Sequence, residues 1–279
     1  MRDPAEVAAI DDARERATVA HKLIDELQGA VTELSRVRRE SLEELLASGW
    51  NQTRIAGLLD MSRSRVSQLL SAGVRPERAF FGTGKLTVAI GAKKESGKSK
   101  PGDVISTESH TAFQALADAA RSVGLDASDE MVPSPGLVDL NRPNLIVLTN
   151  PRLLPFLSQV MGADPHLRYI EDETGWYISD LTAGVEYRAP VDRPEPYDFG
   201  YVGRLPRPDG KGTFLYCAGT HAPGTLAAAR YVADNLPELY RELKARRFST
   251  VVRCEYDRDD TLKMTSIERV APLYRHDGA

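Results

Sequence analysis

Apolar or small residues recur at Ala13, Ala17, Ala20, Ile24, Leu27, Val31 and Leu34, in alternating steps of four and three. A period close to 3.5 predicts a long helix with one apolar seam. Asp3-Pro4 is a helix start, with proline in the first turn. The seam breaks at Arg38 and re-forms as Val37, Leu42, Leu45 and Leu46, with Trp50 closing a small core. Residues 1–47 are therefore expected to form one long helix, or two in series, that pairs with a second copy of the chain; packing on the chain's own second domain is the alternative.

A different pattern follows over Thr53–Leu70. Ile55 and Leu59 lie one turn apart, Ala56 is small where two helices must approach, and Asp60 falls at a turn. Met61 plugs the corner, Ser62 can cap the next helix, and Val66 and Leu69 return to the core. This is the spacing of a helix-turn-helix, whose second helix lies in the DNA major groove. The unit is assigned residues 48–74. With Val66, Leu69 and Leu70 inward, a step of about 100° per residue turns Ser64, Ser67, Gln68 and Ser71 outward. Arg63 and Arg65 flank that face, and Ser62 and Arg54 complete the set expected at DNA. Gln68 suits adenine; Arg63 suits guanine or a phosphate.

Residues 75–85 read as a connector too short for a loose tether, which predicts contact between the parts it joins. Beyond it, strand and helix patterns alternate. Leu86–Ile90, Asn144–Leu148, Trp176–Ser179, Val185–Arg188, Thr213–Ala218, Ser249–Tyr256 and Thr265–Val270 read as strands. Thr107–Val123, a segment from Asn150 through Met161, Thr225–Asn235 and Leu236–Lys244 read as helices. The fold class expected is α + α/β. After the helical N-terminus, residues 86–279 form a Rossmann-like, mainly parallel sheet with helices on both faces and a hairpin insertion.

Charge sharpens the first part of this picture. The chain carries a net charge of −4. Residues 35–100, however, hold 13 Lys/Arg against 6 Asp/Glu, whereas 1–34 hold 4 against 8 and 101–279 hold 19 against 26. Positive charge is thus concentrated around the helix-turn-helix, where double-stranded DNA requires it. With 42% hydrophobic residues, no run of membrane-spanning length and no signal-peptide pattern, a cytoplasmic globular protein is expected, with no membrane partner. Cys217 and Cys254 lie in apolar runs and suit a reducing compartment.

Candidate chemistry gathers in two strand-to-helix loops, where ligands of such sheets bind. One contains Asn150 and Arg152; the other, Ala218–Thr225, contains Gly219, Thr220, His221, Gly224 and Thr225. Glycines and a helix N-terminus favour an anion, so a nucleotide-like or phosphorylated small molecule is the ligand expected. A tight structural turn is an equal alternative for the second loop. Glu171, Asp172, Asp198, Arg204 and Arg207 could also line a cleft, with Arg204 and Arg207 able to bind phosphate; Glu171–Glu173 reads as an exposed charge run. Gly91–Ser99 resembles a phosphate loop but has five residues between its glycines where four are needed, and Pro101-Gly102 breaks the helix that should follow. It reads as a polar loop able to close over a ligand. No catalytic triad, catalytic residue or metal-ligand spacing is legible, and no cofactor can be named.

Two segments carry a resemblance: Gly203-Arg-Leu-Pro-Arg-Pro-Asp-Gly-Lys-Gly212 and Ala218-Gly-Thr-His-Ala-Pro-Gly-Thr-Leu-Ala-Ala-Ala-Arg-Tyr231. Behind the helix-turn-helix they resemble uncharacterised actinobacterial proteins that join a sigma-like (region 4-like) helix-turn-helix to a C-terminal Rossmann-like domain. The resemblance spans most of the chain and implies no activity. No other sigma region is present, so a sigma factor is not expected. The expectation is a dimeric DNA-binding transcriptional regulator that senses a small ligand and is not an enzyme. The alternatives are a nucleotide-processing enzyme or defence effector carrying a helix-turn-helix, and a ligand-free architectural DNA-binding protein.

Overall fold

The computed structural model describes residues 3–71, 75–190 and 196–276. The chain divides into two compact units, Met1–Arg78 and Ala79–Ala279.

The first unit is helical: α1 (Pro4–Ala8), α2 (Ala13–Ala47), α3 (Gln52–Leu58) and α4 (Arg63–Ser71). Each start has a side-chain acceptor for its orphan amides. Asp3 accepts from Ala5 N at 2.8 Å, Asp12 from Arg14 N and Glu15 N, Asn51 from Arg54 N at 2.9 Å and Ser62 from Arg65 N at 3.1 Å. Leu42, Ile55, Ala56 and Val66 form the core, with Leu45, Leu46, Trp50, Met61, Leu69 and Leu70 packed against it. Two expected core residues are not in it. Leu59 is the residue that ends α3 and is exposed, and Val37 on α2 is exposed too. The reversal after α3 runs through Asp60 at φ +50, a left-handed conformation that Asp tolerates better than most residues, and Met61 N returns to Ala56 O at 3.0 Å. Ile24, Val31 and Leu34 are uncovered along α2.

The second unit starts in the short α5 (Arg78–Phe81), then β1 (Leu86–Gly91), β2 (Lys93–Lys94), β3 (Asp103–Val104), α6 (Thr107–Ser122), β4 (Ala127–Val132) and β5 (Leu145–Leu148). Next come α7 (Leu157–Val160), β6 (Leu167–Asp172), β7 (Gly175–Asp180) and β8 (Val185–Tyr187). The chain continues through β9 (Tyr197–Pro206), β10 (Thr213–Gly219), α8 (Ala222–Asp234), α9 (Leu236–Leu243), β11 (Phe248–Tyr256), β12 (Met264–Arg269) and β13 (Tyr274–Arg275). The main sheet has the order β12-β11-β9-β10-β5-β1-β4, with β13 on β11. β4, β1, β5 and β10 are parallel neighbours; β9 runs against both β10 and β11.

β1, β5 and β10 are buried on both faces, and their apolar runs follow from that. Helices α6, α8 and α9 cover one face, through Leu116, Leu226, Val232 and Leu239. α7 and the separate antiparallel sheet β6-β7-β8 cover the other, through Leu157, Tyr169 and Ile178. This is the expected α + α/β fold with its hairpin insertion. The steps β1→β4 and β10→β11 run in opposite directions across the sheet, yet α6 and α8 share a face. One of the two crossovers therefore departs from the usual right hand.

The helix expected from Asn150 through Met161 shrinks to one turn of α helix, Leu157–Val160, continued by a 3₁₀ turn. Pro151 and Pro155 lack the donors that would extend it backwards. β4, β6 and β9 were not expected as strands. β4 alternates exposed and half-buried positions at a sheet edge, so it has no apolar run. β9 contains Gly200, at which a Cβ would overlap Gly224 O; the glycine lets α8 lie close on the sheet.

Candidate functional site

The carboxyl ends of β1, β5 and β10 open into a cleft of about 320 Å3. Gly91 and Lys93 line it from the β1 end, Ser106 and Ser109 from the start of α6, and Thr149, Asn150 and Arg152 from the turn after β5. Thr220, His221 and Thr225 line it from the turn into α8. The two loops singled out in the sequence thus converge, and the Gly91–Ser99 loop borders the same space.

Their chemistry differs from expectation. The N-terminus of α8 is already occupied by a carboxylate of the chain itself. Asp198 on β9 is buried, and it accepts from Phe199 N at 2.8 Å, His221 N at 3.1 Å, Gly224 N at 2.6 Å and the Thr220 hydroxyl. Its oxygen also lies 3.3 Å from His221 Nδ1. An internal anion thereby fills the place where a ligand phosphate was expected. Gly219 and Gly224 serve the packing: a Cβ at Gly219 would overlap His221 O and Thr225 N, and one at Gly224 would overlap Phe199 O. Thr225 Oγ1 accepts from Gly219 N at 2.8 Å, and Asn150 Nδ2 donates to Gly219 O at 3.3 Å. Four of the expected ligand residues, Gly219, Thr220, Gly224 and Thr225, therefore hold the turn itself.

His221, on this turn, and Arg152, on the turn after β5, both line the cleft. His221 is half-buried; its bond to Asp198 raises its pKa, against opposing effects of burial and of the Arg152 charge. Arg152 is exposed at the cleft. Thr149 sits in the cleft wall against Gly91, is 4% exposed, and its hydroxyl has no hydrogen-bond partner. Among the described residues, no carboxylate lines the cleft. Glu108, in the first turn of α6, accepts instead from Thr261 Oγ1 at 2.7 Å.

Arg204 is not at this cleft. It lies buried in β9, with its guanidinium 4.7 Å from the Phe80 ring centre and Nη2 donating to Phe80 O. Burial lowers its pKa to about 10. Its task is to tie α5 to the sheet. Arg207 pairs with Asp209 at 2.8 Å, and Asp172 pairs with Arg188 in the exposed hairpin. Cys217 and Cys254 are buried, which pushes both thiols up to about 12. Among the described residues, no group of three or more His, Cys, Asp or Glu could hold a metal ion.

On the first unit, Arg63, Ser64, Arg65, Ser67 and Gln68 of α4 and the capping Ser62 before it are exposed; Ser64 and Gln68 lie opposite buried Val66, with Arg65 and Ser67 to either side. Arg65 Nη1 donates to Gln68 Oε1 at 3.2 Å. Arg54 stacks 3.7 Å from the Trp50 ring centre, so its charge is tied to the hydrophobic core. The side chain of Ser71 lies outside the described residues, as do residues 72–74.

Among the described residues no helix is long and apolar enough to cross a membrane. Compared with protein-family models, with curated proteins and with solved structures, the chain matches none of them.

Proposed function

We propose that the protein is a dimeric, DNA-binding transcriptional regulator of the cytoplasm whose α/β unit binds a small anionic ligand. The observation that carries this reading is the α3–α4 pair. Its spacing, Ser62 cap and small core leave Arg63, Ser64, Ser67 and Gln68 on one solvent-facing side. Those side chains offer base-edge and phosphate chemistry, and the basic stretch 35–100 supplies the field. The uncovered seam of α2 suits pairing of two such units on paired half-sites.

Selection of duplexes from a random pool, followed by binding measurements across salt concentration, tests it. The expected result is an enriched motif with two half-sites, and affinity that falls steeply with salt. Arg63→Ala together with Gln68→Ala is expected to weaken binding by at least tenfold. Unchanged binding of the double variant would refute the reading.

One observation favours a second reading, a nucleotide-processing enzyme. A buried carboxylate orienting a histidine at a cleft is an arrangement that can move protons. Turnover of a nucleotide by the purified protein, lost in His221→Gln, would establish it.

A further inference from the structure

The cleft of the α/β unit has a specific ligand chemistry written into its walls. Its charged lining is wholly basic: Lys93, Arg152 and, when protonated, His221. The Glu108 carboxylate, between the lining serines, is near enough to feel the charge of Lys93 but does not itself line the cleft. The N-terminus of α8, the usual anion seat of such a fold, is closed by Asp198. An incoming anion is thereby left the rest of the lining, which includes Lys93, Ser106, Ser109, Thr149 and Arg152.

Thr149 marks the place. Its hydroxyl is buried and unpartnered, which in a folded protein costs about 1–3 kcal/mol unless something binds it. Valine would fill the same volume without that penalty. The hydroxyl lies against Gly91 in the cleft wall, so a small shift of that wall would offer it to an acceptor oxygen that arrives with a ligand. Ser106 Oγ is committed, since it accepts from Ser109 N at 3.1 Å and donates to Ser109 Oγ at 3.1 Å, but the Ser109 hydroxyl can still donate. Among the described lining residues the only aromatic ring is the His221 imidazole, already tethered to Asp198. Hydroxyls and amides predominate among the polar groups.

We propose that this cleft binds a small phosphate monoester on a hydroxylated carbon skeleton that carries no nucleobase, its phosphate held by Lys93, Arg152 and the Thr149 hydroxyl and not by the Gly219–Gly224 turn. This rests on the reading of the α/β unit as the sensor. Calorimetric titration of the full chain with ribose 5-phosphate, glycerol 3-phosphate, AMP, ribose and inorganic phosphate tests it. The sugar phosphate or the glycerol phosphate is expected to bind more tightly than AMP, and ribose not to bind. Lys93→Ala and Arg152→Ala should each weaken that binding about tenfold or more, as for charge-assisted bonds. Thr149→Val should weaken it about two- to tenfold while leaving the melting temperature of the unliganded protein unchanged or higher. A structural role for the hydroxyl would lower that temperature instead. Absence of binding by every phosphate monoester, tighter binding of AMP, or binding unaffected by Lys93→Ala and Arg152→Ala would each overturn the proposal. DNA binding by the same preparations separates the outcomes: if it persists, the ligand assignment alone falls.

Discussion

The Asp198 carboxylate accepts the backbone N–H of Gly224 at 2.6 Å, joining β9 to the first turn of α8. Five donors converge on this one buried side chain, from Phe199, Thr220, Gly224 and both the amide and ring of His221. Removing it strands those amides in a dry site. Asp198→Ala is expected to lower stability by about 3 kcal/mol or more, measured by urea unfolding. A change within 0.5 kcal/mol would mean that the amides find water.

The same close approach makes Gly224 irreplaceable. A Cβ there would overlap Phe199 O, a backbone atom that cannot swing away. Gly224→Ala should cost about 2–3 kcal/mol through overpacking. Gly210 provides the contrast: it has a φ of +69 with open space around it, so Gly210→Ala should cost only about 1 kcal/mol. Equal losses in the two variants would contradict the packing account.

This pair also shows what could be read from residues alone. The location of the cleft was legible, because apolar runs at 144–148 and 213–218 led into loops rich in Gly, Asn and Thr. The purpose of the glycines was not. Gly219 and Gly224 look the same in a phosphate-cradling loop and in a turn pressed on a neighbouring strand, and only the position of Asp198, more than twenty residues upstream, decides between them. Asp198 and Arg204 were both noted as cleft candidates. Neither can be placed without knowing that β9 is inserted antiparallel beside β10. The α3–α4 pair was easier, since Ile55, Ala56, the turn at Asp60, the Ser62 cap and Val66 lie within twenty residues of each other. Even there Leu59 was misplaced, because α3 ends one residue earlier and turns that side chain outward.

Lys244, which ends α9, has φ 55 and ψ −123. That combination suits glycine and strains a residue with a Cβ. Lys244→Gly should therefore raise stability by about 1 kcal/mol, seen as a higher urea midpoint at unchanged slope. Loss of the ammonium's contact with the Tyr240 ring, 5.0 Å away, would reduce the gain. A net destabilisation would show that contact to be the stronger effect.

Proton binding at the turn has a definite sign. The bond to Asp198 raises the pKa of His221 above its unfolded value near 6.5. Its contribution to stability is full below about pH 6.5 and is lost as pH rises through the raised folded value. His221→Gln should flatten the stability profile over that interval and leave the profile below it parallel to that of the unaltered protein. Unfolding curves at half-unit steps from pH 5.5 to 9 provide the check. Stability that rises through the interval because of His221 would reverse the assigned direction.

Along α2 the uncovered seam has a more specific character than amphipathicity. Ile24 and Val31 occupy one set of positions and Leu27 and Leu34 the other, three residues on. β-branched residues at the first set and leucine at the second favour two parallel strands. A parallel pair would carry both helix-turn-helix units at the same end of the seam, as paired half-sites require. Leu34 is 68% exposed in the single chain, so Leu34→Glu should leave folding of that chain nearly untouched. In a pair it would set two carboxylates against each other in the apolar seam. The expected outcome is a shift from dimer to monomer in sedimentation, with helical content retained and affinity for a two-half-site duplex reduced. If Leu34→Glu remains dimeric, the seam is not the interface. If the unaltered chain sediments as a monomer at micromolar concentration, the pairing is refuted outright.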